Sequence, residues 1–329
     1  MRKIAQILLS PRVGGAETLA ATLEQEWGAK GVVSQTFYLD PDGVHTGRLR
    51  RVTNLRKALT RFDPDAVVAH SYLPSLYARI AWGGRGSVHS VLHSASDDFA
   101  SFQSRLTERL LSSRTASVIA VSASQETLYR HRFPKVRLTR IANGVSREIA
   151  SRQRFSSNPL RIVTVARVAI QKRPEFWNAV THRMYAESPD IQFEWWGPLS
   201  GQPSIDQAVL SASPSARHMG TTSNLSEVLQ SADLMFHPSG REAHSIVLLE
   251  GAVAGVPVVY ADSIDSPEDD EVWNLRYSSS DVDDAVRKIN QVIQDWETIA
   301  ARAVTFSAEA KLRYSMDSTA NQYLEWMRP

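Results

Sequence analysis

Two carboxylates, Glu242 and Glu250, stand eight positions apart in residues 237–260, HPSGREAHSIVLLEGAVAGVPVVY. Ile246, Leu248, Leu249, Ala252 and Val253 recur there at helical spacings of three and four. The run stops at Gly255, with Pro257 two residues on, so the stretch predicts a helix and then a buried strand over 256–260. On that helix the two carboxylates would lie about two turns apart, roughly 12 Å along the axis and near one face. An unpaired charge on a buried face is costly. Two uses fit. Both groups could accept hydrogen bonds from a long hydroxylated ligand, or one could compensate the helix dipole while the other pairs an Arg. Spacing alone leaves both open.

A second group is cationic. Arg167 follows the apolar run 161–166, and Lys172 comes five residues later. Doubly wound sheets bind ligands at the carboxyl ends of their strands. A guanidinium and an ammonium there suit a diphosphate, the first as a bidentate donor and the second as a point charge. Two solvated cations on a loop would look the same. His93 and His70 each end an apolar run, VLH and VAH, where a ring could face a ligand or simply cap the sheet edge. Gly14 and Gly15 open the segment after the first apolar run and allow a tight turn with close backbone approach. They form neither GxGxxG nor a P-loop. The two Asp-Pro-Asp triplets, at 40–42 and 63–65, read as turns and not as a metal-binding pair.

The elements that must hold these residues alternate strand and helix almost throughout, which indicates two doubly wound parallel sheets. In the first half, strands are expected at 3–10, 32–39, 66–70, 87–93 and 117–121. In the second half they are expected at 161–166, 192–196, 217–219, 234–237 and 256–260. The polar, Ser-rich segment 152–159 reads as a linker. The expected domains are therefore 1–152 and 153–310, with a closing helix at about 311–329. Residues 99–113 read as an amphipathic helix with Phe102, Leu106 and Leu110 on one face and Arg105, Glu108 and Arg109 off it.

With 329 residues the chain can bury two cores. It has no cysteine, which excludes disulfides, thiol nucleophiles and thiolate metal sites. The apolar run at 4–9 is too short for a secretory signal, and no run is long enough to span a membrane. Charge is uneven: residues 1–150 carry a net +9 and residues 151–329 a net −7. Arg130, Arg132, Lys135, Arg137 and Arg140 concentrate part of the excess. Such a surface could meet an anionic membrane or an acidic acceptor, or could simply be solvated.

Glu242-x7-Glu250 followed by Gly-Val-Pro-Val-Val, with GGAE at 14–17 and Arg167-x4-Lys172 in the same order, resembles the family 4 retaining glycosyltransferases. The resemblance implies the GT-B fold, an α/β architecture of two Rossmann-like domains facing a cleft. It implies transfer of a hexose-type sugar from a nucleotide-sugar to a glycan, lipid-linked or small-molecule acceptor. By that resemblance Glu242 binds sugar hydroxyls, Glu250 the ribose, and Arg167 and Lys172 the diphosphate. His93 approaches the donor sugar. Gly14 and Gly15 line the donor pocket, Met219 and Gly220 lie near the base, and His244, Ser245 and Ile246 complete the nucleotide site. The final helix would return to the first domain. No metal or other cofactor and no nucleic acid is expected. The implied setting is cytoplasmic, in envelope or polysaccharide synthesis, with a weak peripheral contact at the inner membrane face.

The pattern departs from the family in places. Gly251 stands for the usual Ala, His244 for an aromatic, and Ala166 and Arg173 for glycines. The loop 262–271 lacks the usual glycine pair, with Pro267 and Glu268 as its remnant. A sugar-nucleotide epimerase on the same fold and a non-catalytic sugar-nucleotide binder are the alternatives.

Overall fold

Strands buried on both faces need near-continuous apolar runs. This chain supplies them as AVVAH, VHSVL and SVIA in its first half and as LMFH and VVYA in its second, all wholly buried. The computed structural model describes residues 3–11, 14–42, 46–83, 88–94, 97–146, 148–152, 161–264 and 274–328. The linker segment 153–160 and the loop residues 265–273, with Pro267 and Glu268, lie outside them. The chain divides into two compact units, residues 1–144 with 316–329, and residues 145–315.

The first unit holds β1 (Lys3–Leu8), β2 (Val33–Tyr38), β3 (Ala66–His70), β4 (Val88–Leu92), β5 (Ser117–Ala120) and β6 (Leu138–Arg140). They form one sheet, order β2-β1-β3-β4-β5-β6, with every pairing parallel. Between the strands run α1 (Gly15–Ala29), α2 (Arg48–Phe62), α3 (Tyr72–Trp82), α4 (Phe102–Leu111) and α5 (Ala123–Arg132). The strand order reverses between β1 and β3. That switch point is where such sheets open a crevice at the strand carboxyl ends.

The second unit holds β7 (Arg161–Val165), β8 (Gln192–Trp196), β9 (Ala216–Gly220), β10 (Leu234–His237), β11 (Val258–Ala261) and β12 (Asn274–Tyr277). Their order is β12-β11-β10-β7-β8-β9, again parallel at every pairing. The helices here are α6 (Pro174–Glu187), α7 (Pro203–Leu210), α8 (Leu225–Ser231), α9 (Ile246–Ala254), α10 (Val282–Gln294) and α11 (Trp296–Arg313). The core gathers Trp177 and Trp195 edge to face at 5.4 Å with the apolar side of α9. The switch point of this sheet lies between β7 and β10. Loops that follow two strands 70 residues apart therefore meet there.

A closing helix, α12 (Met316–Trp326), packs on the first unit. Trp27 Nε1 donates to the Ala320 carbonyl at 3.2 Å, and Trp326 Nε1 donates to Ser117 Oγ at 2.8 Å. Gly144 is fixed by this packing, since a Cβ there would stand 2.7 Å from Met316 Cα. The single helix expected from residue 311 is two helices. α11 ends at Arg313, and the Tyr314 carbonyl accepts from Val145 N at 2.8 Å instead of from the next helical turn.

α4 turns the opposite way from a core helix. Phe102, Leu106 and Leu110 are 69%, 44% and 70% exposed, while Ser104 and Glu108 are buried. The reason is Arg79, a fully buried guanidinium on α3. Its Nη2 donates to Glu108 Oε2 at 2.8 Å, and Tyr129 OH donates to Glu108 Oε1 at 2.6 Å. An unpaired buried guanidinium costs several kcal/mol. Glu108 must face inward, and the apolar residues half a turn away must face out.

Candidate functional site

Most of the expected site residues of the second unit lie at or next to the β7/β10 switch point, while Met219 and Gly220 lie on the edge strand β9. The β7 loop leaves the sheet at Ala166, whose N–H donates to the Trp196 carbonyl at 2.9 Å. The Ala166 carbonyl accepts from Trp195 Nε1 at 2.7 Å. Gly197 lies so close that a Cβ there would stand 2.0 Å from that carbonyl oxygen, and its φ is +145°. Only glycine takes that conformation without strain. Arg167 follows and is exposed, with no described residue bonding its guanidinium. A short 3-10 turn, Ile170–Lys172, then carries Lys172.

Lys172 meets Glu242. The Nζ donates to Glu242 Oε1, and both side chains are less than one-fifth exposed. The loops are joined by backbone as well, Gly240 N donating to the Gln171 carbonyl at 3.2 Å. His237, which ends β10 and is fully buried, places Nε2 3.7 Å from the same Glu242 oxygen. Burial by itself would raise the Glu242 carboxyl, but His237 and the Lys172 ammonium outweigh it and hold it at about 2. Glu242 is therefore ionised at any physiological pH. Burial keeps His237 below its usual value despite Glu242, so the ring is neutral near pH 7.

The two-turn relation between the carboxylates does not hold. Glu242 lies on the loop ahead of α9, which begins only at Ile246 with Ser245 at its N-cap. Loop residues, not helical rise, set its position. Glu250 alone is on the helix. It is half-buried, and no described residue hydrogen-bonds or ion-pairs with it. Burial pushes its carboxyl up to about 8. Ser245 makes no capping bond with its side chain, so the first amides of α9 have no side-chain acceptor there. His244 is buried, and Ile246 opens the helix. Gly251 packs on Met235, whose Cε would stand 2.9 Å from an added Cβ, so an Ala there would need only the end of that flexible side chain to shift.

Gly220 closes β9 at φ +77°, and its carbonyl accepts from Gly197 N at 2.7 Å. Met219 beside it is 41% exposed. In the first unit, Gly14 is the N-cap of α1 with the Glu17 carboxylate folded over it, 2.5 Å from where a Cβ would stand. Gly15 faces open space. His93 follows β4 and is bonded to His70, which ends β3, with 3.0 Å from His70 Nδ1 to His93 Nε2.

Three features had little or no sequence signal. His237 was visible only as a neighbour of Glu242. Arg173 takes a left-handed conformation, lays its guanidinium carbon 4.0 Å over the Phe176 ring, and sets Cδ 2.8 Å from where a Gly240 Cβ would be. Both His237 ring nitrogens, the Ser239 hydroxyl and Arg173 Nη1 are buried with no protein hydrogen-bond partner among the described residues. Each such group costs about 1–3 kcal/mol unless water or ligand satisfies it, so this loop cluster has polar capacity to spare. Among the described residues no group of three or more His, Asp or Glu could hold a metal ion. None of their helices is long and apolar enough to cross a membrane.

Comparison with known proteins gives the following. Residues 10–144 match the family model of the glycosyl transferase 4-like domain, and residues 159–295 match that of glycosyl transferases group 1. Over 177 residues, 51% of its length, the chain is 27% identical to the phosphatidylinositol N-acetylglucosaminyltransferase gpi3 subunit of Schizosaccharomyces pombe. That match spans only 38% of the yeast protein. Among solved structures, Anabaena HepE in complex with UDP and glucose superposes with a TM-score of 0.78 at 17% identity, covering 99% of each chain. The sucrose-phosphate synthase of Thermosynechococcus elongatus gives 0.77 at 15% identity, covering 99% of this chain and 98% of that one. At such identities the likeness is one of fold, the two-domain α/β architecture of the GT-B class.

Proposed function

We propose, on the matches of residues 10–144 and 159–295 to two glycosyltransferase family models, that the chain is a group 1 glycosyltransferase that moves a hexose-type sugar, with retention, from a nucleotide-sugar to a hydroxyl acceptor. The observation that carries the reading is the Lys172–Glu242 pair at the β7/β10 switch point, with Arg167 and Glu250 on the adjoining loop and helix, each bonded by no described residue. Two cations and a helix N-terminus suit a diphosphate. An ionised carboxylate held by a lysine suits sugar hydroxyls. A half-buried carboxyl that no described residue bonds suits ribose hydroxyls. HepE, of like fold, was crystallised with UDP-glucose and with UDP, which supports a nucleotide-sugar as donor.

In this reading the bond from the sugar's anomeric carbon to the diphosphate oxygen breaks, and its electron pair stays on that oxygen. Arg167 and Lys172 stabilise the charge that grows there, an electrostatic effect worth several kcal/mol. The acceptor hydroxyl oxygen bonds the anomeric carbon from the same face and passes its proton to the departing diphosphate. No carboxylate nucleophile is needed. Glu242 orients the sugar, the α9 amides with Ser245 and Ile246 bind phosphate, and Gly220 and Met219 flank the base. In the first unit Gly15 leaves the backbone at the start of α1 open to ligand beside Gly14, and His93 takes a sugar hydroxyl at the carboxyl edge of the first sheet. No resident metal is required.

The acceptor is proposed to be a glycan or a lipid-linked saccharide at the cytoplasmic membrane face. The exposed apolar face of α4, with Arg105 and Arg109 on the same helix, favours a lipid-side setting.

A thermal-shift panel of UDP, GDP and ADP with their glucose, mannose and N-acetylglucosamine forms tests the reading, because a ligand that binds the native state raises the melting temperature by mass action. One base should stand out. No shift with any of them would sink the donor assignment. Product analysis with the binder then separates transfer from epimerisation, which consumes no acceptor.

A further inference from the structure

His93 does not stand alone at the edge of the first sheet. Behind it runs a line of hydrogen bonds through three elements. Gln6 Nε2 donates to the Ala20 carbonyl of α1 at 2.7 Å. A carbonyl only accepts, so the amide nitrogen of Gln6 must face Ala20 and its Oε1 must face the other way. That oxygen lies 3.1 Å from His70 Nε2. Since it too only accepts, His70 carries its proton on Nε2, and its Nδ1 is left as an acceptor. His93 Nε2 is 3.0 Å from that Nδ1 and must donate. A neutral ring has one N–H, so His93 Nδ1 keeps a bare lone pair, and no described residue bonds it. The two rings stack at 5.2 Å, inclined by 23°.

Two further observations bear on the arrangement. Burial holds the His70 ring far below its usual range, and burial brings His93 down to about 4, so both rings are neutral at pH 7. Ser71, the residue after His70, has φ +75° and ψ 171°, a region that favours glycine and strains a residue with a side chain. Its N–H donates to the Val91 carbonyl at 2.8 Å, two residues before His93. The strained turn ties the end of β3 to the end of β4 and brings the histidines together.

We propose that Gln6 and His70 are positioning residues that fix His93 as its Nε2–H tautomer, so that Nδ1 faces ligand as an acceptor for a sugar hydroxyl. The ligand half rests on the reading of His93 given under the proposed function. The site then discriminates by hydrogen-bond sense. It takes a hydroxyl at that position and rejects a group that cannot donate, such as a fluoro or methoxy substituent.

Ring nitrogen chemical shifts of the ¹⁵N-histidine-labelled full chain test the tautomer directly. At pH 7 both His70 and His93 should show a protonated Nε2 and a bare Nδ1. In His70→Leu the His93 shifts should move toward tautomer averaging. His70→Gln, which keeps one acceptor and one donor, should restore them. With UDP-glucose and UDP as probes, His70→Leu should raise the UDP-glucose Kd roughly tenfold, about one hydrogen bond's worth, and leave the UDP Kd unchanged. His70→Gln should recover most of that loss. A merely structural His70 would shift melting temperature without this split. An Nδ1–H or charged His93 in the wild type overturns the proposal, as does an unaltered His93 tautomer in His70→Leu. His93→Ala separates the two readings. Unchanged UDP-glucose affinity there removes the sugar contact, while the nitrogen shifts of the wild type still decide the relay.

Discussion

The Lys172 ammonium donates directly to the Glu242 carboxylate, although 70 residues separate them in sequence. The pair couples the β7 loop to the β10 loop and fixes both charges at one point. Lys172→Ala should therefore act on chemistry and on the aim of Glu242 together. A fall in kcat/KM of about 10²-fold or more is expected, the scale of losing one transition-state charge partner. Far-UV circular dichroism should be unchanged. Steady-state kinetics with full activity would remove Lys172 from the mechanism.

Glu250 and Glu242 should divide the donor between them. Glu250→Ala is expected to weaken the nucleotide-sugar and the free nucleoside diphosphate alike, because ribose is common to both. Glu242→Ala should impair mainly the sugar-bearing donor. Calorimetric titration of both ligands into both variants measures this, and equal losses for the free nucleotide would refute the division.

Burial also gives Glu250 a signature in stability. Its folded carboxyl titrates at about 8, while the unfolded chain releases that proton near the ordinary carboxylate value. Between those pH values the folded state holds the extra proton, so stability falls as pH rises from about 4.5 to about 8 and then levels. Glu250→Gln should abolish that loss. The variant should be more stable than wild type by roughly 2–5 kcal/mol at pH 8 and by little at pH 4.5. Urea unfolding at the two pH values reads this directly, and a pH-independent difference would argue against a buried protonated Glu250.

The outward face of α4 should bind anionic lipid. Each nearby Lys or Arg contributes about 1 kcal/mol at an anionic surface, so the contact should be weak and salt-sensitive. Cosedimentation with phosphatidylserine-containing vesicles at low salt is expected, with none at high salt and none with phosphatidylcholine alone. Leu106→Ser with Leu110→Ser should reduce it several-fold and leave donor binding intact. Wild-type chain that stays in the supernatant at low salt would leave α4 a merely solvated face.

Turnover should persist in excess EDTA, with Arg167 and Lys172 meeting the charge that a divalent ion meets elsewhere. Activity lost in chelator and restored by one divalent ion would show that the two cations do not suffice.

The sequence by itself determined that there are two doubly wound sheets and marked five strands of each, because apolar runs and turn residues are local properties that repeat at strand and helix periods. The short edge strands β6 and β12 carry no such signal. It also marked Arg167, Lys172, Glu242 and Glu250, whose spacing within short segments survives in one dimension. Tertiary structure decided what those residues touch. Glu242 reads as the start of a helix because Ile246 and its successors extend the apolar period, yet it belongs to a loop whose path is set by Gly240 bonding to Gln171. The lysine pairing depends on β10 lying next to β7, an adjacency that strand order creates and local patterning does not encode. α4 makes the same point in reverse. Its apolar stripe marks an amphipathic helix but not which way the stripe faces; buried Arg79 on another element claims Glu108 and turns the stripe outward. The Gln6–His70–His93 line is least legible of all, since hydrogen-bond sense passes between strands 64 and 23 residues apart and appears only once they are side by side.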